Sequence, residues 1–183
     1  MMPPLRGKDF MLRPFRAADV QPFAAAVRES MGTVGAWMPW ARHDYNTLDA
    51  QEWFARCDAN MADGSAFDIG VFSPDGRELY GGVAINQIRP EDNLGNLGYW
   101  IRESRQRQGL AAGAATMMAC HGFHGLGLTR IEIVAAEANV ASRAVAVKIG
   151  ATLECIARNR LILRGRPVAA AVYSLVPEWF SGG

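Results

Sequence analysis

One segment, Tyr99–Ala111, combines backbone amides, glycine and arginine in a way that suits an anion, and its pattern is that of a strand, a basic loop and a helix start. The first turn of a helix carries N–H groups without intrahelical acceptors, and the helix dipole adds positive charge there. Gly109 lets the backbone approach an anion closely, and the small Ala111 keeps the first turn uncrowded. Arg105 and Arg107 add charge at the rim. The segment therefore predicts a pyrophosphate site.

The residues of this segment also allow two other interpretations, a plain loop and a dinucleotide-binding turn. Gly-x-Ala at a helix start is a weak signal, and an ordinary solvated strand-to-helix loop explains it equally well. A dinucleotide-binding turn fits less well, because the G-x-G-x-x-G fingerprint is absent and the strands predicted upstream are antiparallel. The pyrophosphate and plain-loop interpretations both stay open at this point.

Four helices are predicted around this loop from apolar residues at helical spacing. Three of them begin at a side chain that suits an N-cap, namely Asp19, Thr47 and Asn139. The third helix begins at Gly109 and is rich in alanine and methionine. Gly150 closes the fourth helix.

Seven strands are predicted from alternating apolar residues bounded by turn residues. They cover residues 10–15, 67–72, 79–88, 96–101, 130–136, 152–163 and 168–175. The resulting order, βααβββαβαββ, predicts an α+β fold with a mixed, mostly antiparallel sheet of about seven strands flanked by four helices. Because the chain has 183 residues and half of them are hydrophobic, we expect a single domain over residues 1–183.

The overall composition points to no polyanionic or membrane partner. The 19 basic and 18 acidic residues leave a net charge of +1, so neither nucleic acid nor an anionic membrane is indicated. The start of the chain has no apolar core of signal-peptide length, and longer apolar runs are broken by glycine, histidine or charge. Cys57, Cys120 and Cys155 are widely spaced in apolar stretches and are interpreted as buried thiols in a reducing compartment. We expect a cytoplasmic protein.

No metal site is predicted. His121 and His124 have the spacing that places two imidazoles on one helical face, but no acidic residue lies near them in sequence. Contact with the carbonyl groups at a helix C-terminus explains this pair better.

A set of short motifs resembles one family of enzymes over nearly the whole chain. Gln106-Arg107-Gln108-Gly109-Leu110-Ala111 matches the Gln/Arg-x-x-Gly-x-Gly/Ala motif with which Gcn5-related N-acetyltransferases (GNAT enzymes) hold the pyrophosphate of acyl-CoA. Further matches follow the order of the chain: Leu12-Arg13-Pro14, Trp37-Met38-Pro39-Trp40, Gly81-Gly82-Val83, Leu97-Gly98-Tyr99-Trp100, Asn139-Val140-Ala141-Ser142, Ile149-Gly150-Ala151 and Tyr173-Ser174-Leu175. Together they are similar to the ribosomal-protein N-acetyltransferase (RimJ/RimL) branch.

The resemblance implies a cofactor and the residues that hold it. The cofactor is acetyl-CoA or another short acyl-CoA such as succinyl-CoA, and its pantetheine arm pairs with the backbone from Tyr99 to Ile101. Asn139 hydrogen-bonds the cofactor near its thioester, and it also fits a plain helix N-cap, a role that it can fill at the same time. The pyrophosphate is cradled by Gln106, Arg107, Gln108, Gly109, Leu110 and Ala111.

The resemblance also implies how the acyl group is transferred, by direct attack of an amine in a ternary complex. A backbone N–H of Trp100 or Ile101 is expected to stabilise the oxyanion. Ser142 matches the serine that this branch places beside the thioester sulfur. A first-turn helix serine that bonds local backbone is an equally good interpretation of Ser142.

No carboxylate base is assignable from the sequence. Many relatives carry acidic residues at three positions that are occupied here by Asn96, Leu161 and Ala169. Glu137 and Asp92 lie near strand ends, but each fits a solvated loop acid better. Since an α-amine has a pKa of roughly 8, a strong base is optional for such an acceptor, whereas lysine, at about 10.4, needs more help.

The acceptor is expected to lie against the loop between the first two helices. By the resemblance this loop covers the acceptor groove, and Trp37 and Trp40 wall it, although one or both tryptophans can equally fill the core. His43 is a candidate contact for the amine, although a lone loop histidine is more often incidental. The loop from residue 37 to residue 46 carries Asp44 as its one acid, which favours a less cationic acceptor.

We therefore expect an acyl-CoA-dependent N-acyltransferase whose acceptor is the terminal α-amine of a protein or peptide. Two alternatives stay open, namely a small-molecule acceptor (an aminoglycoside, a polyamine or a peptide antibiotic) and a non-catalytic CoA-binding module. The partners are the acyl-CoA and the amine, with no nucleic acid and no membrane. The sequence is compatible with a monomer or a homodimer.

Overall fold

Eight strands form one mixed sheet in the computed structural model, which describes residues 2–179. Their bounds are β1 Leu5–Arg6, β2 Met11–Arg13, β3 Phe67–Phe72, β4 Leu79–Arg89, β5 Leu94–Ile101, β6 Arg130–Ala136, β7 Thr152–Leu163 and β8 Arg166–Leu175. The strand order is β1-β2-β3-β4-β5-β6-β8-β7, and every neighbouring pair is antiparallel except β5 and β6. The predicted mixed, mostly antiparallel sheet is confirmed. The strand beyond the predicted seven is the short β1, which pairs with β2.

Four helices flank the sheet, as predicted: α1 Val20–Glu29, α2 Thr47–Asp63, α3 Leu110–Cys120 and α4 Val140–Lys148. α1 and α2 share one core cluster, in which Phe23, Phe54 and Phe72 pack together. α3 and α4 pack on the other face, in a second cluster that includes Ile69 and Val71 of β3. The alternation of Ile69 and Val71 with Phe72 follows from the two-residue period of a strand. None of these helices is both long and apolar enough to cross a membrane, within the described residues.

Two of the three predicted helix caps are wrong. The Asp19 carboxylate does not cap α1 but accepts hydrogen bonds from Arg13 at 2.7 and 2.9 Å, in a buried ion pair. Asn46 caps α2 in place of Thr47, because its side-chain oxygen accepts from the Leu48 N–H at 2.8 Å. The Asn139 cap is confirmed, since its oxygen accepts from an N–H in the first turn of α4 at 3.1 Å.

The cysteines are free but not uniformly buried. Cys57 is buried, Cys120 is half-buried and Cys155 is exposed. The prediction of three buried thiols is therefore wrong for Cys155, because β7 is an edge strand with one partner, β8. The predicted domain includes residue 1 and residues 180–183, which lie outside the described part of the chain.

Candidate functional site

The centre of the sheet opens between its two parallel strands. β5 and β6 pair through three residue pairs, the last of which joins Asn96 to Glu132. Beyond that pair β5 stays bonded to β4 as far as Ile101, and β6 stays bonded to β8 as far as Ala136. The backbone of residues 97–101 therefore has no strand partner on its β6 side within the described chain. Strand edges of this kind present N–H and C=O groups to an extended ligand.

The loop from β5 to α3 is shaped to expose backbone amides. Arg107 and Gly109 have φ values of 61° and 78°, in the left-handed region. Gly109 is the N-cap of α3, and no side chain caps this helix, so its first-turn N–H groups point into the loop. The side-chain amide of Gln106 donates to the Ile101 carbonyl at 2.9 Å and to the Thr33 hydroxyl at 3.0 Å, which anchors the loop. The geometry suits an anion.

The side chains of this loop differ in their surroundings. Gln108 and Arg107 are exposed, whereas Leu110 is buried in the core and reaches the loop through its backbone alone. Arg105 does not supply free charge, because Glu78 binds its guanidinium at 2.5 and 2.9 Å. A Cβ added at Gly109 would have the Lys148 ammonium as its neighbour, at 4.0 Å. Lys148, the last residue of α4, is thus a cation beside the loop that the sequence did not reveal.

A pair of hydroxyl groups joins β5 to α4 at the opening. The Tyr99 hydroxyl donates to the Ser142 carbonyl at 2.8 Å, and the Ser142 hydroxyl donates to the Tyr99 oxygen at 3.3 Å. Burial raises the pKa of Tyr99 to about 12, against an opposing contribution from its hydrogen bond to Ser142. Asn139 is the N-cap of α4, and its side-chain oxygen accepts a hydrogen bond from the Ser142 N–H. The Tyr99 hydroxyl is therefore protonated at physiological pH.

A cavity of about 470 Å³ lies on the α1 and α2 side of β3, β4 and β5. Its walls are largely aromatic, and the ring of Trp100 meets those of Phe23 and Trp40 edge-on, with centroids 5.5 and 5.7 Å apart. Trp40 lines this cavity and is 41% exposed. Trp37 and His43 are not in its lining; Trp37 is half-buried elsewhere and His43 is exposed.

The charges of the cavity come mostly from residues that the sequence did not single out. Arg42 binds Asp49 at 2.6 Å at the rim, and Glu52 and Arg56 line the mouth. On the floor, burial raises the pKa of Asp68 to about 6, while a hydrogen bond from the Asn86 side chain acts to lower it. An aspartate within the otherwise apolar strand β3 is a signal that could have drawn attention to this position.

The described residues contain no group of three or more His, Cys, Asp or Glu side chains arranged to hold a metal ion. His121 instead packs edge-on against Phe67, with ring centroids 5.9 Å apart. Burial lowers the pKa of His121.

Comparison with known proteins gives a consistent result. Residues 9–152 match the family model of the acetyltransferase (GNAT) domain. YdaF of Bacillus subtilis (strain 168), provisionally named a ribosomal N-acetyltransferase, is 26% identical over 174 residues, which cover 92% of each chain.

Solved structures agree with this match. A Vibrio cholerae protein provisionally named a ribosomal-protein-serine acetyltransferase is 32% identical with a TM-score of 0.81, over 95% of this chain and 97% of that one. RimL, a ribosomal alpha-N-protein acetyltransferase in complex with coenzyme A, has a TM-score of 0.85 at 21% identity, over 93% of this chain and 95% of that one. At that identity the RimL match supports the shared fold.

Proposed function

The chain belongs to the GNAT acetyltransferase family, and on that premise we propose that it transfers an acetyl group from acetyl-CoA to the α-amine of a protein or peptide. The observation that carries the proposal is the position of β5. One edge of this strand faces the opening beside the amide-rich loop, and one face of it forms the floor of the aromatic cavity. Donor and acceptor can therefore approach the same strand from different sides.

The donor side fits acetyl-CoA in three respects. The unpaired edge at residues 97–101 suits the amide groups of the pantetheine arm. The uncapped first turn of α3 at Gly109 suits the pyrophosphate, with Lys148 beside it. The acyl-CoA supplies an activated acyl group; every other function comes from the protein.

The reacting groups are assigned to β5 and α4. The backbone N–H of Ile101, on the open edge of β5, stabilises the negative charge that develops on the acyl oxygen. The Trp100 N–H is less suited, because it faces β4, as does the Arg102 N–H that donates to Tyr80. The Ser142 and Tyr99 hydroxyls lie at the opening, where they can pass a proton to the departing sulfur. Asn139 keeps the first turn of α4, and hence Ser142, in place.

The acceptor side favours an amine that carries little other charge. The cavity lining holds three acids, Asp49, Glu52 and Asp68, and two arginines, Arg42 and Arg56. A polyamine or aminoglycoside calls for a greater excess of carboxylates. The aromatic wall suits a peptide terminus, whose α-amine has a pKa of about 8 and is partly neutral at physiological pH. The names of YdaF, the Vibrio cholerae protein and RimL all describe acetyltransferases that act on ribosomal proteins.

We further propose that residues 1–183 work as one catalytic domain, because both halves of the site lie on one sheet. The test is free-thiol release from acetyl-CoA and succinyl-CoA with peptides, polyamines and aminoglycosides, run beside thermal shift with each acyl-CoA. Turnover with peptides and acetyl-CoA supports the proposal. Turnover with polyamines or aminoglycosides in place of peptides contradicts the acceptor assignment, and a thermal shift without any turnover supports a CoA-binding module.

A further inference from the structure

We propose that the carboxylate of Asp68 is the general base that takes the proton from the acceptor amine, and that Asn86 and Asn96 hold this carboxylate in position. The assignment rests on the proposed function, because a base needs an amine in the cavity. Asp68 occupies a position at which no acid was anticipated from the sequence.

The register of the sheet connects Asp68 to the reacting strand. Asp68 of β3 lies opposite Ala84 of β4, and Ala84 lies opposite Gly98 of β5. Adjacent strands are about 4.8 Å apart, so the backbones at Asp68 and Gly98 are separated by roughly 10 Å. All three residues line the cavity. The carboxylate therefore faces the acyl-bearing strand from across the cavity floor.

The floor between these two positions is open. Ala84 contributes one methyl group, and Gly98 contributes no side chain. A Cβ placed on Gly98 would meet one atom within 4 Å, the Asn86 side-chain nitrogen at 3.9 Å. Once the reach of the aspartate side chain is subtracted, the remaining gap suits an amine, or an amine and one water.

A relay of two amides orients the carboxylate. The side-chain nitrogen of Asn96 donates to the side-chain oxygen of Asn86 at 2.9 Å. Because the Asn86 oxygen is engaged in this way, its NH₂ group is the part of the amide left to act on Asp68, and the Asn86 side chain acts to lower the pKa of that carboxyl. The three side chains thus form a line across β3, β4 and β5. Asn86 and Asn96 are positioning residues, and Asp68 is the group that meets the substrate.

The electrostatic surroundings leave Asp68 charged and basic at neutral pH. Burial raises the pKa of its carboxyl to about 6, so it is ionised at pH 7 and can accept a proton from an amine of pKa about 8. Cys57 of α2 also senses this charge, but burial raises the pKa of its thiol and keeps it neutral. The other ionisable groups that share the cavity are Arg42, Tyr45, Asp49, Glu52, Arg56 and Tyr99.

These other groups are less suited to the role. Asp49 is bound by the Asn46 N–H and by Arg42, and those bonds lower its pKa. Glu52 and Arg56 are exposed at the mouth. Tyr45 and Tyr99 both have pKa values raised by burial to about 12, so they remain protonated.

The protons balance as follows. The Asp68 carboxylate removes one proton from the ammonium group, and the nitrogen lone pair then forms the bond to the acyl carbon. The C–S bond breaks with its electron pair going to sulfur, and the second proton lost by the nitrogen reaches the thiolate by way of the hydroxyls of Ser142 and Tyr99. Asp68 releases its proton to water, so one proton is produced for each acetylated ammonium.

The test compares wild type, Asp68→Asn and Asp58→Asn in thiol-release assays from pH 5 to pH 9.5 at saturating acetyl-CoA. Asp58 is an exposed acid of α2 outside the cavity and is the matched charge control. We expect Asp68→Asn to lower kcat/KM for the peptide about 100-fold at pH 7, with the loss shrinking at pH 9, where the amine is already neutral. In the wild type, kcat/KM for the peptide should fall as the pH drops through about 6, and this acid limb should disappear in Asp68→Asn. KM for acetyl-CoA should be unchanged.

Two further variants separate catalysis from structure. Asp68→Ala should regain activity with added formate, which a merely structural carboxylate does not explain. Asn86→Ala should move the fall in rate on the acid side of the pH profile above pH 6, because the Asn86 side chain acts to lower the pKa of Asp68. An Asp68→Asn rate within twofold of wild type, with the acid limb retained, overturns the assignment of Asp68 alone. Wild type without turnover on any amine overturns the proposed function and the base together.

Discussion

The Tyr99 hydroxyl and Ser142, 43 positions apart in sequence, meet twice: the phenol donates to the Ser142 carbonyl at 2.8 Å and accepts from the Ser142 hydroxyl at 3.3 Å. This contact joins β5 to α4 beside the opening between β5 and β6. It gives the serine a partner other than local helix backbone. We propose that the two hydroxyls act as one unit.

Ser142→Ala and Tyr99→Phe should each lower kcat by about 10-fold to 100-fold, because each removes one hydroxyl of the pair that we propose supplies a proton to sulfur. The double variant should lose little more than the worse single variant, since neither hydroxyl works without the other. The measurement is steady-state thiol release, with KM for acetyl-CoA unchanged. Ser65→Ala, an exposed position after α2, is the control. Strictly additive losses contradict the coupled role.

Gly109→Ala should weaken CoA binding about tenfold, the loss expected from about 1.4 kcal/mol of disturbed backbone contacts to the pyrophosphate. Gly64→Ala is a matched control, because both glycines have a φ of 78° and Gly64 lies far along the chain, at the end of α2. Each variant should lose about 1 kcal/mol of unfolding free energy from the left-handed backbone. Calorimetric titration with CoA and with pantetheine, which lacks the pyrophosphate, separates the two effects. Equal CoA affinity in both variants would contradict this placement.

Lys148→Met should weaken CoA binding about 3-fold to 10-fold and flatten its salt dependence, because an exposed cation beside the loop is removed. Arg89 is an exposed cation at the end of β4, beside the start of β5, whereas the loop follows the opposite end of β5. Arg89→Met is therefore the charge-matched control and should bind CoA as wild type does. The readout is the dissociation constant between 50 mM and 500 mM salt. If the dissociation constant of Lys148→Met equals that of the wild type at every salt concentration, Lys148 does not contact CoA.

Asp68→Asn should stabilise the fold at neutral pH. Because burial raises the folded-state pKa to about 6 from a usual 3.8, the folded protein binds more protons than the unfolded chain between these values. Wild-type stability therefore falls as the pH rises through this window, by about 3 kcal/mol in total. Urea unfolding at pH 8 should show the variant more stable by a similar amount, with the difference shrinking toward pH 4. A less stable variant at pH 8 would mean that the charged carboxylate holds the fold together.

Most of the fold could be predicted from local pattern. The strands Phe67–Phe72, Arg130–Ala136 and Thr152–Leu163 have their predicted bounds, because alternating apolar residues end at clear turn signals. The wrong caps have a physical cause: a buried ion pair with Arg13 takes the Asp19 carboxylate, and Asn46 precedes Thr47 with a better-placed oxygen. Capping rules consider one helix end at a time and do not include such competitors.

The site was predicted less completely, for reasons of geometry. The loop from Gln106 to Ala111 is one continuous stretch, so its sequence contains the whole motif. Asp68 and Lys148 reach the site through strand register and helix packing, which no spacing in the sequence reports. Trp37 and Trp40 lie three residues apart in an irregular loop, where spacing does not set the direction of a side chain. The sequence therefore could not show that Trp40 lines the cavity and that Trp37 does not.

The central claim is that acetyl-CoA and a peptide α-amine meet at β5. The most direct test incubates the protein with acetyl-CoA and a peptide that carries both a free N-terminus and an internal lysine, and locates the added acetyl group by tandem mass spectrometry. The account predicts one acetyl group, on the α-amine, and no product from the same peptide with a blocked N-terminus. Acetylation of the lysine in preference to the terminus, or no acetylation of either amine, would contradict it.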